Sequence, residues 1–570
     1  MIKGFMPSTK KETDDLGWKK PDVVIVTGDA YIDHPYFQTA SAGRFLNSKG
    51  FRTVILDMPD ISKEEDWKMF GRPALFFLVI SGKEDSMAMN YTAFKKFRST
   101  DPYVPGGQRT HRPDRAVIRY CNKLKEFYKD APVILAGPEA VCRMTTHYDY
   151  WTDKLRKPIL FDSKADMILF GNIEHNLVKI CELMKSGQRL SDIKKLNGTA
   201  YISKEVPEIK SFIKLPTHEK IEKDNTLLSV HHLTVHRNQN PYKSNIMVQK
   251  VLDRFLVIHK AQLPLDESET DEIFSVGYKR KAHPKYKLEI PILKFIGDII
   301  ITHRGCLNDR SVSQELFTEG KFISSRSNEH IRKEVIHFIK SKEYNKTIKL
   351  FGLPYFNHYL VGIGNQKVCS ECDRLSCTLP DLCKNIKTRN GEIIRIIEGF
   401  DKFPNVRNNF YAGKPDMKLL LSDKEMYKDF LTNRNDGKVE LSAESFSAQV
   451  RKLMGLDDQE SILKDLKFLI KRAGEYGKKI NFEASVTTGF PGQADKEVDL
   501  NIKALKDLSA GTGDINNFIP LPLTLGSVLY YTGTDPVTED KTDVDKKLSV
   551  MKTHNEWYKK TRKGHKEKRA

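Results

Sequence analysis

The stretch Asp22-Val-Val-Ile-Val-Thr27, followed directly by Gly28-Asp29, decides the fold of the N-terminal part of the chain. An unbroken run of β-branched residues is typical of a strand that is buried on both faces of a parallel sheet. Further strands are predicted over residues 51–56, 74–80, 132–136 and 167–170, with helices over 37–49 and 174–185. This alternation indicates an α/β fold with a Rossmann-like, doubly wound sheet, whose ligand crevice lies at the carboxyl ends of the strands.

The alternating pattern weakens between residues 201 and 290 and then resumes. Six more strands are predicted, over residues 297–302, 347–351, 406–412, 438–443, 480–487 and 517–521. Six βα-like units favour a partial or full (β/α) barrel, whose active face is the carboxyl end of its strands. We therefore predict an N-terminal domain at 1–200, a linker or family-specific segment at 201–290, a barrel at 291–540 and a basic tail at 541–570.

Length, hydropathy and charge narrow the class of protein. The 570 residues are 39% apolar, which excludes a wholly disordered chain. The longest apolar run, residues 74–80, is too short to span a membrane, and the N-terminus lacks a signal-peptide core. We expect a soluble, cytoplasmic protein with no membrane partner.

The basic tail carries much of the excess positive charge. Residues 552–570 hold eight Lys or Arg against two Glu, in a chain of net charge +19. We expect this segment to be solvated and mobile, either as a solubilising tail or as a contact for nucleic acid.

Three histidines stand close together in the weakly patterned segment. The sequence around His231, His232 and His236 is polar and predicted to be irregular. Because no cysteine or acid stands nearby at ligand spacing, we predict solvent-exposed histidines rather than a metal site.

The eight cysteines fall into distinct groups. Three lie in helix-like or strand-flanking sequence and are predicted to be buried structural thiols: Cys121, Cys142 and Cys181. Cys306 stands alone. Four others lie within fifteen residues: Cys369, Cys372, Cys377 and Cys383. In a reducing compartment such clustering favours a metal, either zinc or an iron–sulfur cluster, although four free thiols in a loop are the alternative.

Motifs spread over about residues 7 to 540 carry a resemblance to a known family. They include residues 26–35 (VTGDAYIDHP), residues 146–151 (THYDYW), Cys372-Asp-Arg-Leu-Ser-Cys377 and Gly489-Phe-Pro-Gly492. On these residues the chain resembles the YgiQ-type proteins of the radical S-adenosylmethionine (radical SAM) superfamily, whose function is uncharacterised. The resemblance also matches Cys372, Cys377 and Cys383 to family cysteines.

The resemblance implies an N-terminal domain like those that bind cobalamin, followed by a radical SAM-type partial barrel. In such barrels a Cys-x3-Cys-x2-Cys loop after the first strand holds a 4Fe–4S cluster by three irons, and S-adenosylmethionine binds the fourth. The matching loop here begins with Cys306, but Arg310 and Ser313 stand at the other two positions. A guanidinium has no lone pair for iron and a hydroxyl replaces thiolate poorly, so we do not expect the standard cluster.

Further cofactor contacts also follow from the resemblance. Glu444 and Ser445 stand where relatives carry Glu-His, which makes Glu444 a candidate for binding a substrate or ribose hydroxyl. Gly489 and Gly492 follow a predicted strand, as similar segments do beside S-adenosylmethionine, and a simple turn is the alternative.

His34, which follows the first strand, is the candidate for a cobalt ligand. However, the Asp-x-His-x-x-Gly spacing of base-off cobalamin binders is absent. We therefore do not expect cobalamin, and we assign Asp29, Asp33 and His34 to helix capping and turn formation.

Three functions remain open from the sequence. We favour a radical SAM-like protein that has lost its cluster and acts as a pseudoenzyme or binding scaffold for a small molecule or macromolecule. The second hypothesis is an active S-adenosylmethionine enzyme with an unusual cluster built from Cys306 and the later cysteines. The third is a nucleic-acid-binding protein that uses the basic tail.

Overall fold

The computed structural model describes residues 2–109, 112–206, 208–309, 311–342, 344–435 and 437–567, with side chains described as far as residue 562. The chain divides into two units. The first comprises residues 1–227, 238–297 and 314–321, and the second comprises residues 228–237, 298–313 and 322–570. Within the described ranges, no helix combines the length and apolar character needed to cross a bilayer.

Nine strands of the first unit form one sheet. They are β1 (Val23–Thr27), β2 (Thr53–Asp57), β3 (Phe76–Ile80), β4 (Val133–Ala136), β5 (Met167–Leu169), β6 (Thr199–Ser203), β7 (Ile213–Lys214), β8 (Met247–Val251) and β9 (Arg254–Ile258). Their spatial order is β7-β8-β9-β6-β5-β4-β3-β1-β2. The strands β2-β1-β3-β4-β5 are all parallel, which is a doubly wound order with its switch point between β1 and β3.

The parallel part of this sheet confirms the fold class predicted for the N-terminal half. Every residue of β1, β2 and β3 is buried, as expected for strands covered on both faces. The predicted helices correspond to Gln38–Ser48 and Glu174–Lys185. The prediction of buried thiols at Cys121, Cys142 and Cys181 is also confirmed.

The segment 201–290, set apart in the sequence as a linker or family-specific segment, contributes strands to this same sheet. The hairpin of β8 and β9 is antiparallel, and β9 pairs with β6 from Phe255 opposite Ser203 to Ile258 opposite Ala200. The weak pattern of this segment reflects antiparallel strands near one edge of the sheet, where fewer residues need to be apolar.

The prediction of an irregular stretch with exposed histidines was wrong. Residues Leu227–Arg237 form a helix, and His231, His232 and His236 are all buried in it. The sequence prediction treated these polar rings as solvent-exposed, whereas tertiary contacts bury them.

Six parallel strands form the framework of the second unit. They are β10 (Ile299–Arg304), β12 (Thr347–Gly352), β13 (Asn408–Ala412), β14 (Lys438–Glu444), β15 (Asn481–Thr488) and β16 (Gly511–Asn517), while β11 (Ser324–Ser325) pairs antiparallel with β10. One sheet has the order β11-β10-β12-β13 and the other β14-β15-β16. Helices follow the parallel strands, in agreement with the predicted partial (β/α) barrel.

Alternating burial shows why these strands pack against helices. Val439, Leu441 and Ala443 of β14 are buried and share a hydrophobic cluster with Leu466 and Leu469, which lie on the helix Gln459–Glu475. The intervening residues of β14 are only partly buried or exposed. Every second residue of the strand is thus buried against a helix, whose own buried residues recur with the helical period of about 3.6.

The sequence prediction placed the sixth barrel strand too far towards the C-terminus. It runs over Gly511–Asn517, whereas the prediction named Asn517 to Leu521. The true strand begins with Gly-Thr-Gly, which has low strand propensity, and the apolar run after it lies in a loop with Phe518 and Leu523 buried.

Short strands and further α-helices complete the two units. The short strands are Ile32–Asp33, His147–Asp149, Lys154–Arg156, Lys281–Ala282, Gly362–Ile363 and Ile386–Lys387. In the first unit the helices are Lys10–Asp15, Gln38–Ser48, Glu64–Lys68, Ser86–Asn90, Ala116–Phe127, Pro138–Val141, Ile159–Ser163, Glu174–Lys185, His218–Lys223, Glu267–Phe274, Leu293–Ile296 and Glu315–Glu319. In the second they are Asn328–Phe338, Gln366–Ser370, Asn390–Asp401, Met417–Leu421, Lys424–Thr432, Ala448–Leu453, Gln459–Glu475, Asp495–Asp507, Leu525–Thr532 and Leu548–Glu567.

The basic tail is a packed helix in its described part, and the prediction of a solvated, mobile segment was wrong there. Met551, His554, Asn555 and Tyr558 are buried at helical spacing on one face of Leu548–Glu567. The Tyr558 hydroxyl accepts a hydrogen bond from Asn501 Nδ2 at 2.7 Å. Nucleic-acid binding by the exposed lysines of this helix stays a prediction.

Replacing Tyr558 tests this packing. We expect Tyr558→Ala to lower the free energy of unfolding of the second unit by about 3–5 kcal/mol, because it empties a fully buried aromatic site. Lys559→Ala, at the exposed neighbouring position, should change it by less than about 0.5 kcal/mol. Urea denaturation of both variants measures the difference, and equal values would show that the helix is not packed.

Candidate functional site

The loop after β10 places Cys306 inside the second unit. Gly305 has φ +122°, and a Cβ at this position would lie 1.9 Å from the Phe322 carbonyl oxygen, so only glycine fits. Cys306 is buried, and its thiol donates to the Asn308 carbonyl oxygen at 3.0 Å. Ser313 is partly buried, and Arg310 lies outside the described residues.

A buried polar network holds the same loop from the other side. Asp416 Oδ2 accepts hydrogen bonds from Asn308 Nδ2 at 2.7 Å, Thr378 Oγ1 at 2.7 Å and His358 Nε2 at 3.2 Å. Asn308 Oδ1 in turn accepts the Ser376 hydroxyl at 3.0 Å. The loop after β10 is therefore held through Asn308, which donates to the Asp416 carboxylate and accepts from the Ser376 hydroxyl.

The network also fixes the charge of Asp416. Burial alone raises the pKa of this carboxyl, but the hydrogen bonds from His358, Thr378 and Asn308 outweigh burial and lower the pKa to about 2. Asp416 Oδ1 caps the helix Met417–Leu421 by accepting from the backbone of Lys418. Asp416 is consequently ionised at neutral pH and engaged at both oxygens.

His303 lies beside this network, near the carboxyl end of β10. Its Nε2 donates to the Tyr355 carbonyl oxygen at 2.9 Å, and a Cβ on Gly352 would collide with its ring. Burial, together with the nearby His358, lowers the pKa of His303 to about 3, so the ring is neutral at physiological pH.

The later cysteine group adjoins the Cys306 loop. The Cys377 amide donates to the Leu307 carbonyl oxygen at 2.8 Å, and the Cys383 amide donates to the Cys377 carbonyl oxygen at 2.8 Å. Backbone contact thus connects two cysteine-bearing segments that are separated by about seventy residues of sequence.

The sulfur atoms of this group contact protein donors. Cys369 Sγ accepts from Asn385 Nδ2 at 3.2 Å, and Cys372 Sγ accepts from the Arg374 amide at 3.4 Å. Across the described ranges, no three His, Cys, Asp or Glu side chains are gathered closely enough to hold a metal ion. The donor chemistry of Cys369, Cys372, Cys377 and Cys383 suits zinc or iron, and a metal at this group stays a prediction.

Glu444 and the predicted glycines come from adjacent strand ends. Glu444 ends β14 with φ +60°, and its carboxylate accepts the Thr487 hydroxyl of β15 at 2.6 Å. A Cβ on Gly489 would lie 2.5 Å from Met551 Cε, and one on Gly492 would lie 2.8 Å from Leu453 Cδ1. Side chains of the protein itself therefore lie in the space that the missing Cβ leaves free at these two glycines.

In the first unit, buried ion pairs lie beside the switch point between β1 and β3. The buried Arg112 guanidinium donates to Asp29 Oδ1 at 2.8 Å, to Asp101 Oδ2 at 2.9 Å and to the Ser81 carbonyl oxygen at 3.0 Å. A Cβ on Gly82 would lie 2.8 Å from Arg112 Nη1. Asp29, which follows β1, is therefore held by Arg112, and the expectation that the chain does not bind cobalamin stays a prediction.

The other residues after β1 serve the local fold. His34 is buried, and its Nδ1 accepts the Tyr36 amide at 3.1 Å, as expected for turn formation. Burial and the nearby Arg280 hold the pKa of His34 well below its usual value. Asp33 forms a buried ion pair with Arg44.

Sequence reasoning did not single out His303, His358, Thr378 or Asp416. His303 directly follows a predicted strand, and Asp416 stands in Lys-Pro-Asp before a helical stretch, which is an N-cap pattern. These signals indicate local roles only, because the partners of Asp416 lie far away in sequence.

The chain is similar to several known proteins. The family model described as Radical SAM N-terminal matches residues 5–298. Proteins described as UPF0313 protein are 34% identical in Methanocella arvoryzae, over 96% of this chain and 91% of that protein, and 33% identical in Clostridium botulinum, over 95% and 85%. The UPF0313 protein of Thermotoga neapolitana is 34% identical over 96% of this chain and 97% of its own length.

Among solved structures, the radical S-adenosylmethionine methyltransferase TsrM from Kitasatospora setae matches with a TM-score of 0.50 and 11% identity. The match covers 89% of this chain and 77% of TsrM, whose structure holds cobalamin and a [4Fe-4S] cluster. At this identity the likeness shows a shared fold.

Asp416 and Asp423 give a matched pair of variants for the network. Both cap helices, but within the described part of the chain the side chain of Asp423 accepts hydrogen bonds only from the backbone amides of Glu425 and Met426. We expect Asp416→Ala to cost about 3–5 kcal/mol in the free energy of unfolding and Asp423→Ala about 1 kcal/mol.

The pH dependence of this difference follows from the lowered pKa of Asp416. Since the folded pKa of about 2 is below the unfolded value, the stabilisation is complete above about pH 4 and is lost as the pH falls towards 2. Urea denaturation of wild type and Asp416→Ala across this range should show the gap closing, and a constant gap would contradict the assigned charge.

Proposed function

This chain belongs to the UPF0313 family of the radical SAM superfamily, and from that premise we propose that it is a binding protein on a radical SAM fold that does not assemble the standard three-thiolate cluster. The single observation that carries the proposal is the loop after β10, which has one cysteine, Cys306, buried and hydrogen-bonded within the loop. No step through the cluster is derived for this chain.

The chemistry of the loop supports the proposal first. Three thiolates are needed to hold a site-differentiated 4Fe–4S cluster, and the positions that follow Cys306 in the family pattern are Arg310 and Ser313. An always-charged guanidinium repels iron, and a serine hydroxyl is a hard, neutral donor.

The packing of the loop is the second support. The Ser311 hydroxyl donates to the Leu453 carbonyl oxygen at 3.1 Å, and the Ser311 carbonyl oxygen accepts the Gly526 amide at 2.7 Å. Together with the hydrogen bond of Asn308 to Asp416, these contacts hold Asn308 and Ser311 against other parts of the second unit.

The candidate S-adenosylmethionine contacts are the third support. The Glu444 carboxylate already accepts the Thr487 hydroxyl, and Met551 and Leu453 lie against Gly489 and Gly492. Residues that would receive the cofactor are thus packed against the protein itself, which favours a scaffold over an initiator of radical chemistry.

Anaerobic reconstitution with iron and sulfide tests the proposal. We expect wild-type protein to lack a cluster at this loop and to form no 5′-deoxyadenosine from S-adenosylmethionine after reduction. The double variant R310C/S313C restores the Cys-x3-Cys-x2-Cys pattern and should gain about four irons per chain. The cluster is measured by iron analysis, by acid-labile sulfide and by absorption at about 400 nm.

Two further variants assign any metal that is found. Cys306→Ser in the R310C/S313C background should abolish the gained iron, whereas Cys372→Ser should leave it. Zinc analysis of wild type and Cys372→Ser tests the metal predicted at Cys369, Cys372, Cys377 and Cys383. Wild-type protein that holds about four irons through Cys306 and cleaves S-adenosylmethionine would contradict the proposed function.

A further inference from the structure

A short hairpin of the first unit, residues 91–98, has no role in the sites described above. Tyr91 and Phe97 form an antiparallel bridge. At the tip, the Thr92 amide donates to the Lys96 carbonyl oxygen at 2.8 Å, which closes a tight turn. Four consecutive residues of the hairpin are basic or aromatic: Lys95, Lys96, Phe97 and Arg98.

The hairpin carries an aromatic stack that is open to solvent. Phe97 is 55% exposed, and its ring centroid lies 4.7 Å from that of Tyr91, with 26° between the two planes. The guanidinium carbon of Arg109, Cζ, lies 3.5 Å from the Phe97 centroid. Because Arg109 is itself exposed, its guanidinium extends the stack of two rings and stays accessible to a ligand.

The cations beside this stack lack acidic partners. Within the described residues, Lys96, Arg98 and Arg109 form no ion pair with a carboxylate. Arg98 is partly exposed, and its Nε donates to the carbonyl oxygens of Ala88 at 2.9 Å and Tyr91 at 3.1 Å. Burial lowers the pKa of Arg98, and no carboxylate offsets this effect. An anionic ligand can supply the missing negative charge.

The charges around the hairpin favour an anionic ligand. Residues 90–109 hold four Lys or Arg against one acid, Asp101, which pairs with Arg112 at 2.9 Å. Asp114 adds one negative charge beside the stack, where its carboxylate accepts the Tyr91 hydroxyl at 2.7 Å. The cations outnumber the acids here, so the surface is positive and attracts polyanions.

Two chemical features define the ligand. An accessible guanidinium on an aromatic stack accepts a flat π-system, such as a nucleobase. Lysine and arginine side chains without acidic partners bind phosphate through charge-assisted hydrogen bonds. Single-stranded nucleic acid carries phosphates and unstacked bases together, whereas the bases of a duplex are stacked on one another. An acidic peptide offers the negative charge but not a regular series of flat rings.

We propose that the hairpin 91–98 and Arg109 bind single-stranded nucleic acid, with a base stacked on the Arg109 guanidinium and phosphates on Lys96 and Arg98. All of these residues belong to the first unit. The surface uses no residue of the loop after β10 or of the C-terminal helix. It therefore stands or falls separately from the proposed absence of a cluster.

Fluorescence anisotropy of the full-length protein with a labelled oligoadenylate of about twelve nucleotides tests the surface. An abasic phosphodiester of the same length and an oligoglutamate of the same charge serve as probes. We expect oligoadenylate to bind at least about fivefold more tightly than either probe, because only oligoadenylate can stack. Phe97→Ala should weaken oligoadenylate binding by about fivefold or more and binding of the abasic probe by less than about twofold.

The phosphate contacts are tested separately by Lys96→Gln. This variant should lower the slope of log affinity against log salt concentration by about 0.7, the value for one lost phosphate contact on a single strand. Lys195→Gln removes an exposed lysine elsewhere in the first unit and should leave the slope unchanged. Because both lysines are exposed, both variants should fold like the wild type.

Several results would overturn the proposal. They are no binding of oligoadenylate at low salt, equal affinity for oligoadenylate and the abasic probe, or tighter binding of oligoglutamate. Unchanged oligoadenylate binding in both Phe97→Ala and Lys96→Gln would also overturn it, and this is the result expected if nucleic acid binds only to the C-terminal helix.

Discussion

A single carboxylate organises the carboxyl end of the barrel strands in the second unit. Asp416 follows β13, yet it receives donors from Asn308 after β10, from His358 after β12 and from Thr378 in the cysteine-rich segment. Because an ionised carboxylate cannot stay buried without these donors, the three segments must keep their places together. A single carboxylate oxygen of Asp416 thus links these segments through oxygen and nitrogen groups.

Much of the architecture was predictable because burial on both faces leaves a strong mark in the sequence. The run at β1 and the helix Glu174–Lys185 were found from apolar periodicity alone. The failures share one cause. In β16, in the helix with His231, and in the C-terminal helix with Tyr558, the deciding contacts are tertiary and involve glycine or polar residues, which carry little local signal.

The residues of the candidate sites also differ in how far the sequence alone could predict them. The proposed loss of two cluster ligands rests on sequence alone, since Arg310 and Ser313 stand where the resemblance places cysteines. Contacts between residues far apart in the chain leave no such mark. Asp309 and His236 are 73 residues apart, and neither belongs to a recognisable motif, so their pairing becomes apparent only when the helix Leu227–Arg237 is placed beside the loop.

The position of the helix Leu227–Arg237 affects how the chain folds. Residues 228–237 belong to the second unit although residues on both sides of them belong to the first, and His236 reaches the Leu523 carbonyl across 287 positions of sequence. Contacts of such separation are expensive in loop entropy and form late during folding. No single proteolytic cleavage can separate the two units intact, and neither unit corresponds to one continuous fragment of the gene.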